Sequence, residues 1–236
     1  MASAFSSPTS RNEDGLYLPE NASWFTRLRV SVRALKILEK QPDDGIAAPL
    51  LGASMDGGVF AQHVARLLGT DAGRALLRER PSLQGSVLDL HRLRALPEGT
   101  LGHALTQYYR DNGIQPFESP YEIRNDVDFI CRWYRETHDL HHVVTGYGTD
   151  PVGEMELQAF MVGHLGLWTG RLILAFAAIL RPRGLPPIWR YAQKLRAARD
   201  RGRRCGDLLA LRYDQRWDVP VHSLRAELGL AAADGA

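Results

Sequence analysis

Apolar residues recur along most of this chain at helical rather than strand spacing. Trp24, Leu28, Val32 and Leu35 trace one stripe and predict a helix over 24–40, with Asn21 or Ser23 as its cap. A Pro-, Asp- and Gly-rich interval follows over 41–58. Phe60, Val64 and Leu67 then mark a second helix, stopped at Gly69, and Thr70 caps a short third one that ends before Pro81. Leu101, Leu105 and Tyr108 predict a helix that Asn112-Gly113 closes, and 116–120 reads as a loop between prolines. A long helix is expected over 121–145, with Phe129, Trp133 and Leu140 among its apolar positions. The run 145–151 stops it and starts another. There Asp150 suits the N-cap and Pro151 the first helical position, where a missing N–H removes no hydrogen bond. That next helix is expected to reach about Leu180 and to close at Pro182 and Gly184. Two or three more fill 188–217 and 221–228.

No sustained period-2 alternation and no repeat of fixed length interrupts this pattern. The expected fold is therefore all-α: a single domain of seven to nine helices around an apolar slot, with a metal site on a helix hairpin. Residues 21–230 form that domain, 1–20 read as a disordered tail and 231–236 as a C-terminal tail.

Composition narrows the setting. The 236 residues suffice for one substantial core, and 44% hydrophobic with 24% charged residues is ordinary for a soluble globular protein. The net charge of +2 says little, but its distribution says more: 181–225 holds twelve Lys/Arg against four Asp/Glu. Such a segment is either a solvated helix face or a surface for anionic lipid, nucleic acid or an acidic partner. Nucleic acid is the weakest of these, because no recognised DNA- or RNA-binding motif accompanies the charges. Cys131 and Cys205 form no C-x-x-C motif, which fits a reducing compartment. The first twenty residues have no apolar core and carry Glu13 and Asp14, unlike a secretory signal. The longest apolar stretch, 165–180, is sixteen residues interrupted by Arg171, short of the about 20 that span a bilayer. The chain is expected to lie on a membrane rather than cross it.

The chemistry concentrates in His138-Asp139-Leu140-His141-His142 and in Glu154. His138 and His142 are four apart and share a helix face; Asp139 stands about 100° round from His138. His141, three from His138, also fits a face, so spacing leaves His141 and His142 both open as the second ligand, with azimuth favouring His142. Glu154 falls in the first turn after Asp150-Pro151, where an antiparallel helix would return it to the histidines. Two imidazoles and two carboxylates suit zinc, iron(II) or manganese(II). A chance His-x-x-x-His on a helix is common, and it is the added carboxylates that lift this one above chance.

The pattern His-Asp-x-x-His, eleven residues, then Glu resembles the signature of the coenzyme Q (ubiquinone) biosynthesis family called Coq-four. Here the eleven residues are 143–153. The flanks are similar too. Leu96-Pro97-Glu98-Gly99-Thr100-Leu101-Gly102, Arg132-Trp133-Tyr134-Arg135-Glu136-Thr137, Val152-Gly153-Glu154, Arg216-Trp217 and Leu224-Arg225-x-Glu227-Leu228-Gly229 all look like family segments. The likeness extends over roughly 24–230, and the branch looks bacterial, since Met155-Glu156-Leu157-Gln158-Ala159-Phe160 lacks the eukaryotic motif at that place.

The resemblance implies a metal site of His138, Asp139, His142 and Glu154, with His142 rather than His141 as ligand. The implied metal is zinc, with iron(II) or manganese(II) as alternatives. It implies C1 decarboxylation of a 4-hydroxy-polyprenylbenzoate, oxidative when coupled to C1 hydroxylation, by those four residues. The alternative is a non-catalytic polyprenyl-lipid-binding scaffold that organises the other coenzyme Q enzymes. Implied partners are the polyprenylated aromatic substrate, those enzymes and a membrane surface, with a second copy of the chain as an option and no nucleic acid. The implied location is cytoplasmic, peripheral to the inner face of the membrane, or at the mitochondrial inner membrane in a eukaryote. Leu165, Leu167, Leu172, Leu174, Phe176 and Ile179 are candidates to line the slot, and Trp168, Trp189 and the 181–204 basic stretch to seat its entrance on lipid.

Overall fold

The computed structural model describes residues 18–19, 22–41, 44–180 and 187–230, all in one helical domain. Eleven α-helices appear among the described residues, with no strand; one isolated bridge joins Thr100 to Pro220. They are α1 (Trp24–Leu38), α2 (Ala47–Leu68), α3 (Asp71–Glu79), α4 (Leu90–Arg94), α5 (Leu101–Asn112), α6 (Asp126–Glu136), α7 (His138–Thr145), α8 (Pro151–His164), α9 (Trp168–Leu180), α10 (Ala192–Arg204) and α11 (Val221–Glu227). The all-α expectation holds. The count exceeds seven to nine because two expected helices are each broken in two and a five-residue helix, α4, sits before Pro97.

The expected helix over 121–145 begins late and breaks once. Asp128 accepts hydrogen bonds from the Tyr121 hydroxyl and from the Arg124 backbone and guanidinium, which holds 121–124 outside the helix. Asn125 then caps α6 by accepting from the Asp128 N–H. At Thr137 the hydroxyl donates to Trp133 O (2.8 Å), competing with the backbone for the i−4 carbonyl, and α6 gives way to α7. The expected helix over 151–180 also breaks, between α8 and α9. From α2, Asp56 accepts from the N–H groups of Trp168 and Thr169, while His63 Nε2 donates to Leu165 O. Asp56 is thus a cap supplied from a distant helix, which no local pattern announces.

The start of α2 departs from expectation, and α1 buries a face that its apolar stripe did not mark. α2 starts at Ala47, well before Gly58, because Leu50, Leu51, Ala53 and Asp56 are buried along it and Pro49 lies in its first turn, where no N–H is needed. On α1, capped by Ser23, the stripe Trp24-Leu28-Val32 faces outward, and the buried face is Val30, Ser31 and Ala34. Small residues win there because they admit close approach to α2, across which Ser31 and Ser54 hydroxyls bond at 2.7 Å.

α8 and α10 cross with their backbones in contact. A Cβ at Gly163 would collide with the Arg199 backbone, and one at Gly202 with the Phe160 backbone, so glycine is required on both sides of the crossing. The core on which these helices meet holds Trp133, Phe129, Phe60, Phe160 and Tyr213. Trp133 donates its indole N–H to Leu209 O (3.1 Å), which satisfies that donor at the centre of the core.

His164, at the last residue of α8, accepts from the Leu208 N–H (3.3 Å), and burial holds its pKa down to about 4. The unfolded chain takes a proton at that ring near 6.5, whereas the folded chain takes it only near 4. Protonation therefore favours unfolding, and the contribution to stability is lost as pH falls from about 6.5 to 4. Urea midpoints measured across that window should decline with acid, and a His164→Gln variant should flatten the decline. An unchanged slope in the variant would contradict this assignment.

Candidate metal centre

α7 is two turns long, bounded by the Thr137 break and by Gly146, which adopts φ 83° and returns its N–H to His142 O. Its last carbonyls are held from the C-terminal third of the chain. Arg201 donates to Thr145 O (2.8 Å), and Arg225 donates to Val144 O (2.8 Å) and Val143 O (3.1 Å). Two guanidinium groups thus satisfy the orphan carbonyls and oppose the negative end of the helix dipole. The basic segment is in this respect internal. Elsewhere in it Arg203 pairs with Asp200, Arg212 with Glu79 and Asp214, and Arg216 with Glu227. Arg181 and Arg183 lie outside the described residues.

The returning helix of the hairpin starts as expected. Asp150 accepts from Val152 N (3.0 Å) and Gly153 N (3.3 Å), and Pro151 occupies the first turn of α8. Gly153 passes directly over the Gly148 carbonyl, and a Cβ there would collide with it. This close approach lays Glu154 over α7.

His138, His142 and Glu154 each present one ligand atom, all within 4.8 Å of one another. His142 Nε2 is 3.1 Å from Glu154 Oε1, and His138 Nε2 is 3.9 Å from Glu154 Oε2. His142 Nδ1 donates to Tyr147 O (3.0 Å), which fixes the ring and leaves Nε2 as a lone pair aimed at the cluster. That Nε2 is fully buried, with no aligned hydrogen-bond partner among the described residues. A buried lone pair of this kind, beside a second imidazole and a carboxylate, fits a borderline divalent cation. Asp139 stands beside the trio rather than within it, with Oδ1 3.4 Å from His138 Nδ1. His141 points the other way, into the core near Tyr134 and Tyr213, and burial pushes its pKa well down. Of the two histidines that spacing left open, the structure brings His142 to the cluster.

The electrostatics already favour a positive charge here. Burial opposes ionisation of His142, Glu154 and Asp139. Glu154, with help from the Tyr147 carbonyl and Asp139, nonetheless raises the His142 pKa above the ordinary value. Against the same burial penalty, His138 lowers Asp139, and His142 and His138 lower Glu154.

The site opens on a cavity of about 540 Å³ that His138, Asp139 and Glu154 line together with Leu38, Leu51 and Ile173. Among the candidates for an apolar slot, Leu167 lines this cavity, Leu165 belongs to the core, and Leu172 and Leu174 are half-buried. The side chains of Phe176 and Ile179 lie outside the described residues. Cys131 contributes wall rather than chemistry, since burial pushes its thiol well up. Three further residues escaped the sequence reading. Tyr108 stacks on the His142 ring at 5.7 Å, Arg135 lines the cavity three positions before His138, and Asp56 lies in the wall. Burial, with Asp139 and Glu154 nearby, pushes the Tyr108 phenol up, so it keeps its proton at neutral pH. Arg135 stood in the sequence only as part of the family-like flank 132–137, and the Thr137 break disguised its spacing to His138.

Fold and site together define a class: an all-helical domain in which an α-hairpin gathers two histidines and a glutamate beside an apolar cavity. Comparison with known proteins supplies the family. The family described as "Coenzyme Q (ubiquinone) biosynthesis protein Coq4" matches residues 21–234. The chain is 32% identical over 163 residues to the rat mitochondrial ubiquinone biosynthesis protein COQ4 homolog, covering 67% of this chain and 61% of the rat protein. The human homolog is likewise 32% identical over 164 residues, covering 68% of this chain. The mitochondrial COQ4 of the fungus Coprinopsis cinerea is 25% identical over 225 residues, 94% of this chain and 76% of its own length. A crystal structure from Nostoc punctiforme, of a protein provisionally assigned to ubiquinone biosynthesis, superposes with a TM-score of 0.69 at 26% identity, covering 87% of this chain and 97% of that one. The chain belongs to the Coq4 family of ubiquinone biosynthesis. It spans about three fifths of the length of the mammalian relatives it matches.

Gly153→Ala tests the geometry of the hairpin. The added methyl must move α8 off the connector and take Glu154 with it, at a cost of about 1–3 kcal/mol. Thermal unfolding should show the loss, and elemental analysis should show less retained metal per chain. Wild-type values on both measures would contradict the close approach.

Proposed function

We propose that the chain binds a divalent cation at His138, His142 and Glu154, with Asp139 completing the set, and acts on a polyprenylated aromatic acid of ubiquinone biosynthesis. The observation that carries this is the convergence of three ligand atoms within 4.8 Å at the wall of an apolar cavity. Zinc is the first candidate on the donor set, with iron(II) and manganese(II) as alternatives. The reaction is removal of the C1 carboxylate of a 4-hydroxy-polyprenylbenzoate. In the oxidative form a hydroxyl from water takes its place, the carboxyl leaves as CO₂, and dioxygen accepts the two electrons and leaves as hydrogen peroxide; otherwise a proton takes its place.

A bound divalent cation supplies Lewis-acid stabilisation for a carboxylate or phenolate. The chain's own groups do the rest. Arg135, in the cavity wall, offers a second positive charge to an anionic head group. Tyr108, protonated and stacked on His142, offers an aromatic wall and a hydrogen-bond donor. The Leu38, Leu51, Leu167 and Ile173 side chains exclude water and suit an isoprenoid tail. Asp139, next to but outside the trio, is placed to hold or move a proton whenever it is not a ligand. A hydrophobic substrate of this kind resides in lipid, so the protein works at a membrane surface beside the other coenzyme Q enzymes. That surface is the cytoplasmic face of a bacterial inner membrane or the mitochondrial inner membrane. No helix among the described residues is long and apolar enough to cross a membrane. The apolar lining also suits a scaffold that holds the lipid intermediate without changing it.

The two readings separate on one experiment. A short-chain 4-hydroxy-prenylbenzoate labelled at the C1 carboxyl is incubated with the purified protein and with a His138→Ala, His142→Ala variant. The catalytic reading expects labelled CO₂ from the wild type and a loss of at least about 100-fold in the variant, with helix content preserved. Equal release by both would overturn it. Release by neither, with prenyl-lipid retained by both, would favour the scaffold.

A further inference from the structure

The outward face of α1 has no partner in the domain. Trp24 is 66% exposed, Phe25 76%, Leu28 40% and Val32 45%, although the other face of the same helix is buried against α2. The Trp24 and Phe25 rings pack edge-to-face at 4.9 Å, so the first turn presents a preformed aromatic pair to solvent. At 100° per residue Trp24, Leu28, Val32 and Phe25 cover about a quarter of the helix circumference, and Lys36, Arg29 and Arg33 lie in sequence along one border. Phe25, Leu28 and Val32 line a shallow groove together with Arg29, Arg33 and Lys36. None of these three cations forms an ion pair among the described residues, and α1 contains no Asp or Glu.

We infer that α1 is the face by which the protein docks on an anionic phospholipid surface, with Trp24, Phe25, Leu28 and Val32 entering the headgroup–acyl boundary and Arg29, Arg33 and Lys36 meeting lipid phosphates. The charge pattern selects this occupant. A second copy of the chain would bring cationic borders together, whereas an anionic bilayer complements them. Long cationic side chains flanking an apolar stripe keep their heads at the phosphate level while their stems lie on apolar surface. The last turn of α1 adds a functional reason: Leu38 lines the cavity that also holds His138, Asp139 and Glu154. A docked α1 therefore sets the cavity wall beside the lipid phase from which a prenylated substrate would enter. This inference rests on the reading that the protein works at a membrane.

The test is co-sedimentation of the full chain with phosphatidylcholine vesicles, with and without phosphatidylglycerol. Three proteins are compared: wild type, Phe25→Ser with Leu28→Ser, and Arg29→Gln with Arg33→Gln and Lys36→Gln. Wild type should bind the anionic vesicles and show a blue-shifted tryptophan emission that a Trp24→Phe variant lacks. The apolar variant should lose binding to both vesicle types. The cationic variant should bind anionic vesicles on the order of 100-fold more weakly, since each cation near such a surface contributes about 1 kcal/mol. Unfolding midpoints and helix content check that the exposed substitutions leave the fold intact; should the apolar variant fail that check, the cationic variant and the Trp24 emission decide. Wild-type binding by the α1 variants overturns the assignment to α1 while leaving the membrane reading standing. Failure of the wild type on both vesicle types overturns both. A dimer that the apolar variant converts to monomer, with no vesicle binding, makes the second copy the occupant and overturns the inference.

Discussion

Two arginines hold the end of α7, and the candidate centre depends on them. An eight-residue helix is too short to persist by its own hydrogen bonds, because nucleation costs more than two turns return. Arg201 and Arg225 satisfy the carbonyls of Val143, Val144 and Thr145 with charge-assisted bonds. They reach α7 from α10 and α11, elements more than fifty residues away in the chain. α10 is in turn locked to α8 through the Gly163–Gly202 crossing, and α8 carries Glu154. The three ligand-bearing positions are therefore braced by one closed circuit: α7 to α10 by arginine, α10 to α8 by backbone contact, and α8 back to α7 by the capped hairpin.

This bracing explains how a polar cluster survives at the edge of an apolar cavity. Burial alone would neutralise Glu154 and Asp139 and discharge His142. Held together, they shift one another the opposite way, so the cluster carries anionic carboxylates beside a His142 imidazole that favours a positive charge. A proton on His142 plays the part that a divalent cation would play more fully. The cavity wall beside it is largely apolar, with Arg135 and the phenol of Tyr108 among its polar groups. Such a contrast suits a ligand with a charged head and a greasy tail, in keeping with membership of a ubiquinone biosynthesis family.

The parts of this arrangement that were legible in the sequence are those with a local cause. Asp150-Pro151 announced the start of α8 because an N-cap and a first-turn proline act within three residues. Thr70, Gly69 and Gly113 marked helix ends for the same reason. The histidine register was only half legible: spacing allowed His141 and His142, and the family resemblance, not geometry, assigned His142. What the sequence hid was non-local. The Thr137 break depends on a hydroxyl choosing Trp133 O, and a threonine in mid-helix predicts that choice weakly. The cap on α9 comes from Asp56, more than a hundred residues earlier. The buried face of α1 was not legible either: hydrophobicity marked Trp24-Leu28-Val32, whereas packing buries the smaller Ser31 and Ala34. The basic segment looked like a surface, yet two of its arginines are structural pins.

X-ray absorption at the metal edge of the purified full chain, paired with metal content per chain, tests the central claim most directly. One divalent ion per chain is expected, with a shell of nitrogen and oxygen at about 2.0–2.2 Å and imidazole multiple scattering from two histidines. Replacing His142 by alanine should reduce both the metal content and the imidazole signal. A thiolate shell, or full metal retention by the His142→Ala variant, would contradict it.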